Sequence, residues 1–209
     1  MTLDKKGLKE IEKQISATLK KIAKTYGFRA VSCSVYHKNN SYFFNAIHFV
    51  QSKENEIFLT MRTTVKLYCY DDILWEIMDM SENSLHKDSL RANGAFAAPV
   101  VQMYEKDYSV SDISDIEITC KEAIDEFAKS SDDFIAHIDE EHADFDSFVI
   151  NRTGVPHDDL IKMIAYIHLQ DFSSAKKLAE YELSHKRGGR FRNKGIDVNE
   201  FVVRFCDKR

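Results

Sequence analysis

A chain of 209 residues with an apolar fraction of 44% has enough material to bury a core, so wholesale disorder is excluded and one large domain or two small lobes are expected. A net charge of -5 argues against a surface given over to nucleic acid, and two prolines with seven glycines leave little for long flexible linkers. No apolar run approaches the ~20 residues of a membrane helix, the charged N-terminus MTLDKKGLKEIEK lacks the apolar centre of a signal peptide, and Cys33, Cys69, Cys120 and Cys206 form no CxxC. A cytoplasmic protein with reduced thiols and no membrane partner is the expectation.

Leu8, Ile11, Ile15, Leu19, Ile22 and Tyr26 recur at spacings of three and four, which predicts an amphipathic helix ended by Gly27. Val31, Cys33 and Val35 alternate with polar residues as a first strand, and His37-Lys38-Asn39-Asn40 reads as a turn. Tyr42 to Gln51 is apolar on both faces and suits a central strand. After a polar break, Ile57, Leu59, Met61, Thr63, Val65 and Leu67 fall on one face of a half-buried strand. This hairpin needs a cover, and the first helix is the nearest one.

Asp71 or Asp72 is expected to cap a helix running to Met80, with Trp75 in its core; Ser81 to Asn93 reads as a loop. Phe96 to Tyr104 reads as a fourth strand, placed at a sheet edge because Pro99 cannot donate a ladder bond. The S-x-x-E of Ser114 to Glu117 predicts a capping box for a helix reaching Ile138, within a stretch from Asp112 to Asp146 whose only bases are Lys121 and Lys129. Two helices follow, carrying Leu160 to Leu169 and Phe172 to Leu183 around a tight turn; Asp197 to Cys206 reads as a last helix with Asp197 and Glu200 as a capping box, although Phe201, Val202, Val203 and Phe205 also suit a strand. The fold class is therefore α+β: an antiparallel sheet of about four strands under an N-terminal helix (1–110), followed by a helical part (111–209), or both as one continuous domain.

Tyr26-Gly27-Phe28, Asp72-Ile73-Leu74-Trp75-Glu76-Ile77 and Arg91-Ala92-Asn93-Gly94-Ala95-Phe96 resemble an uncharacterised bacterial α+β domain family over the first two thirds of the chain. The resemblance implies a fold class and no catalytic residue.

Phosphate loops, a GxSxG elbow and HExxH are missing, so no catalytic residue, cofactor or metal ligand set is assigned. His137 and Glu141 share a helix face, but no third ligand stands at fixed spacing, and a solvated acidic helix end is the preferred reading. His48 and His168 sit in apolar runs as hydrogen-bonded core histidines. The segment 185–195 holds five cations and no acid: Lys186, Arg187, Arg190, Arg192 and Lys194 surround Phe191. These six are the candidate binding residues, set against two plainer readings of the run: ion pairs with the acidic stretch 112–146 of the same molecule, or a solvated loop.

The expected function is a non-enzymatic cytoplasmic protein-binding module, in its sharper form an immunity- or antitoxin-like partner of another protein. Two alternatives stay open: nucleic-acid or phosphate binding through the basic run, with Phe191 stacking on a base, and an enzyme whose site is assembled across the fold.

Overall fold

The computed structural model describes residues 5–53, 56–141, 144–153, 158–188 and 191–209, and the fold is α+β. Two compact units share the chain: Met1–Val65 with Val101–Ile135, and Lys66–Val100 with Ala136–Arg209.

The first unit is built on a five-stranded antiparallel sheet in sequential order: β1 (Arg29–Val31), β2 (Ser34–Asn39), β3 (Tyr42–Lys53), β4 (Glu56–Leu67) and β5 (Val101–Val110). There is one strand more than the sequence suggested. The expected strand across Val31 to Val35 is broken in two, because Ser32 takes a φ of 50° and Val31 pairs back on Ser34. His37 and Lys38 stay in β2, and the turn falls at Asn40 and Ser41, with Asn40 at a φ of 52°. Asparagine tolerates this left-handed geometry better than most side chains.

Along β4, Leu59, Met61, Val65 and Leu67 are buried as the alternation predicts. The opposite face departs from expectation: Thr60, Thr64 and Lys66 are buried too. A period of two reports residue type, not which face is covered. Buried polar groups there find partners, as when the Thr64 hydroxyl donates to the Asn45 carbonyl at 3.0 Å. The edge strand β5 also differs from expectation. It begins two residues after Pro99 and pairs with β4 through Val110, with a register shift at Thr63/Thr64.

Helix α1 (Lys5–Thr25) buries Ile11, Ile15, Leu19 and Ala23, a stripe that veers from Ile22 and Tyr26 toward alanine, where backbones approach. The Phe28 amide closes the helix on the Ala23 carbonyl at 2.9 Å, and Gly27 takes the left-handed position at a φ of 73°. Ser16 in α1 contacts His48 of β3 at 3.0 Å, which seats the helix on the sheet. Helix α4 (Ile116–Glu141) buries Cys120, Ala123, Ile124 and Phe127 in the same core. A capping box of Asp112 and Asp115, two residues before the expected Ser114 and Glu117, opens the 3-10 turn Ile113–Asp115 that leads into α4. His37 lies between Phe28 and Phe44, at ring separations of 4.3 and 5.1 Å.

The second unit is mostly helical. Helix α2 (Cys69–Ile77) starts before Asp71 and has no side-chain cap. The expected loop from Ser81 to Asn93 holds a 3-10 turn at Ser81–Leu85 and a short helix α3 (Ser89–Asn93). Helix α5 (Phe145–Asn151), too short to show a period, precedes the expected pair α6 (Asp159–His168) and α7 (Phe172–Ser184). Gln170 makes the turn between that pair at a φ of 62°, and Asp171 caps α7 through the Ser174 amide at 3.0 Å. A two-residue ladder, β6 (Arg192–Asn193) with β7 (Ile196–Asp197), leads into α8 (Val198–Cys206). Asp197 caps α8 through the Asn199 amide, while Glu200 pairs with Arg204 instead of completing a box.

Candidate functional site

The second unit contains three polar constellations. The first is a buried ion network. Lys66, at the end of β4, has no exposed side-chain surface. Its ammonium donates to Asp71 Oδ1 at 2.7 Å and to the Arg91 and Ala98 carbonyls at 3.0 and 3.4 Å. Asp71 also accepts from the Ala98 amide at 2.7 Å, so it is an interior counterion and not the helix cap expected. Arg91 donates to Asp72 at 2.7 Å and to the Tyr68 carbonyl at 2.9 Å. Its guanidinium sits 3.8 and 4.8 Å from the ring centroids of Tyr68 and Trp75. The Trp75 indole donates to the Phe96 carbonyl at 2.8 Å.

Burial pulls Lys66 below the usual lysine range and pushes Asp71 above the usual carboxylate range, each opposed by the other's charge. Burial opposes the Arg91 charge, but Asp72 and Asp71 hold it above its ordinary value. Lys66 thus meets three acceptors, and the whole reads as scaffold.

The second constellation was not read as a unit in the sequence. The Tyr70 hydroxyl donates to Asp146 Oδ1 at 2.7 Å, and His168 Nδ1 meets Asp146 Oδ2 at 2.8 Å. Tyr70 is fully buried, the Asp146 side chain is 5% exposed and that of His168 is 39% exposed. Burial, then the Asp146 charge, raise the Tyr70 phenol far above its ordinary range, so it remains a donor. Because a carboxylate only accepts, Nδ1 is the donor in this bond. Among the described residues, none of the His168 hydrogen bonds goes to a hydroxyl or thiol nucleophile, and no group of three metal-ligating side chains occurs. The nearby Cys69 thiol is pushed up to about 11, by burial first and then by Asp146 and other charges. A clasp joining α2, α5 and α6 accounts for the geometry.

The third constellation is the basic run. Lys186 takes the left-handed position after α7 at a φ of 53°, and the Arg187 amide reaches back to the Glu182 carbonyl at 3.0 Å. This is a Schellman closure with lysine where glycine is usual, so α7 ends before Gly188 and not at it. Lys194 and Gly195 follow at φ of 50° and 79° as the two-residue turn between β6 and β7. Arg187 lies 3.6 Å from Glu182, and Arg192 lies 3.6 Å from Asp197. The two carboxylates are each 8% exposed, whereas the arginines are 61% and 69% exposed. A side chain at Gly188 would stand 3.5 Å from Asp197 and 3.8 Å from the Arg192 guanidinium, so the backbone after α7 passes close to the Arg192–Asp197 pair.

Tyr181 adds an exposed ring beside Arg187, 4.1 Å from the His185 ring and 6.0 Å from the Arg187 guanidinium. Phe191 is half-buried with its ring 5.8 Å from Phe96. Asn193 anchors the hairpin on the Met78 carbonyl at 2.8 Å. Arg190 lies outside the described residues, as do the side chain of Glu141 and His142; His137 is exposed on α4. His48 is buried against Ser16, in keeping with a hydrogen-bonded core histidine.

Comparison with protein-family models, with curated proteins and with solved structures finds no match to this chain. Among the described residues, no helix is long and apolar enough to cross a membrane.

Proposed function

We propose that this protein is a non-enzymatic, cytoplasmic protein-binding module that docks its partner through the basic turn after α7. The supporting observation is that the cations at 186, 187, 192 and 194 stand on a backbone fixed by a helix closure and a two-residue hairpin. A surface already held in shape loses little conformational freedom on association. Tyrosine and arginine, present together at Tyr181 and Arg187, are the residue types that most often anchor interfaces. An immunity- or antitoxin-like role fits the segregated charge, which steers a small module to an oppositely charged partner.

The test is affinity purification of the tagged full chain from its native host after nuclease treatment. The recovered partner is identified and the complex is rebuilt from purified components. The wild type should bind, and an Arg187→Ser/Arg192→Ser variant should bind about tenfold more weakly. Recovery that disappears with nuclease, or equal binding by both forms, would overturn the reading.

A further inference from the structure

Four described cations, Lys186, Arg187, Arg192 and Lys194, share the basic turn with two buried carboxylates, Glu182 and Asp197. With Arg190, which lies outside the described residues, the run has five cations, and five less two leaves a net charge of +3. Nucleic-acid grooves neutralise closely spaced phosphates with unbroken rows of cations. A partly cancelled row suits widely spaced charges instead. The one aromatic residue inside the run also packs inward: Phe191 stands against Phe96, where a base would need an open ring.

Arg187 and Arg192 point to a specific chemistry. Each guanidinium has five N–H donors and turns part of its fork to a buried carboxylate of its own unit. The exposed remainder of each can take a second carboxylate. Lys186 and Lys194 flank this pair on left-handed turns. Tyr181 offers a half-exposed ring beside Arg187.

We propose that the partner presents a carboxylate-rich peptide segment, which lies across Arg187, Arg192, Lys186 and Lys194 beside Tyr181. This rests on the protein-binding reading above and names the chemistry of its partner. The probes are a fluorescein-labelled polyglutamate peptide and a labelled single-stranded oligonucleotide of equal length, each titrated with the full chain by fluorescence anisotropy at low and physiological salt. The peptide should bind with a marked salt dependence, and the oligonucleotide about tenfold more weakly or not at all. A Lys186→Asn/Lys194→Asn variant removes two charges and keeps residues that accept left-handed turns. It should weaken peptide binding about tenfold with an unchanged melting temperature, as should Arg187→Ser/Arg192→Ser. If the serine variant unfolds, the asparagine variant decides.

Tighter binding of the oligonucleotide would make this a nucleic-acid surface. Peptide binding untouched by the asparagine variant would place it elsewhere on the chain. Binding of neither probe would end the carboxylate proposal alone, since the rebuilt native complex judges the protein-binding reading separately.

Discussion

Arg91 and Arg187 are both arginines beside carboxylates in the second unit, and they do opposite things. Arg91 is enclosed between Tyr68 and Trp75, with Asp72 and Asp71 as its anions, and nothing outside can reach it. Arg187 meets Glu182 with most of its head in water. Burial, more than pairing, separates a charge that holds a fold together from one that is available to a partner. A buried pair must be satisfied from within because desolvation penalises any vacancy, whereas an exposed pair is screened and contributes little.

The contrast breaks most visibly at Asp71. Asp71→Asn keeps the shape and removes the charge, leaving the Lys66 ammonium and the Arg91 guanidinium buried with less anion. Urea unfolding should show a loss of about 3–5 kcal/mol, as for removing one partner of a buried pair. A joint Lys66→Met/Asp71→Leu replacement should recover much of it, because the empty half of the network is no longer charged. A loss below about 1 kcal/mol for Asp71→Asn would mean that water reaches the pair.

Histidine sharpens the same point in the first unit. Burial pulls His48 down to about 4, helped by the Lys20 charge, and burial does the same to His37 against the opposing pull of Asp132. Folded His48 stays neutral where the unfolded chain, near 6.5, takes up a proton. Above pH 6.5 both states are neutral and the group contributes no pH dependence. As pH falls from 6.5 toward 4 the unfolded state is favoured, by on the order of 2 kcal/mol at pH 5 for His48. Urea midpoints at pH 7 and pH 5 should therefore differ more for wild type than for His48→Gln. Equal differences would place His48 in contact with water.

The smallest effect belongs to the basic turn. Arg187→Ser and Arg192→Ser should each change stability by less than about 1 kcal/mol in the same assay, as exposed ion pairs do. A larger loss would move these arginines to the structural side of the comparison and weaken their claim as a docking surface.

These differences also explain what was legible in the sequence. The strand β4 showed in its alternation, α1 in its spacing and the basic run in its composition, because each is a local pattern. Lys66 did not: on a polar strand face it looks solvated, and its acceptors at Asp71, Arg91 and Ala98 are fixed only by the fold. Asp71 had the composition of a cap and lost that role to a lysine five residues earlier. β5 runs from Val101 to Val110 and not over Phe96 to Tyr104, because the polar Gln102, Glu105, Lys106 and Asp107 hide its alternation. At the candidate site, the cations were legible but their geometry was not. Lysine has no preference for the left-handed region, yet Lys186 and Lys194 both occupy it. The Tyr70–Asp146–His168 clasp gave no signal, since it joins three helices from distant parts of the chain.

The division of the chain sets the order in which it can be made. The Lys66–Val100 stretch interrupts the first unit, and that unit's edge strand β5 and the first part of α4 come after it. On the ribosome, β4 therefore emerges with one flank unpaired and must wait for the intervening stretch before β5 can join it. That stretch in turn waits for residues beyond Ala136. Neither half can be excised by trimming one end of the gene. Expressing a unit alone requires joining Val65 to Val101, or Val100 to Ala136, by a new linker.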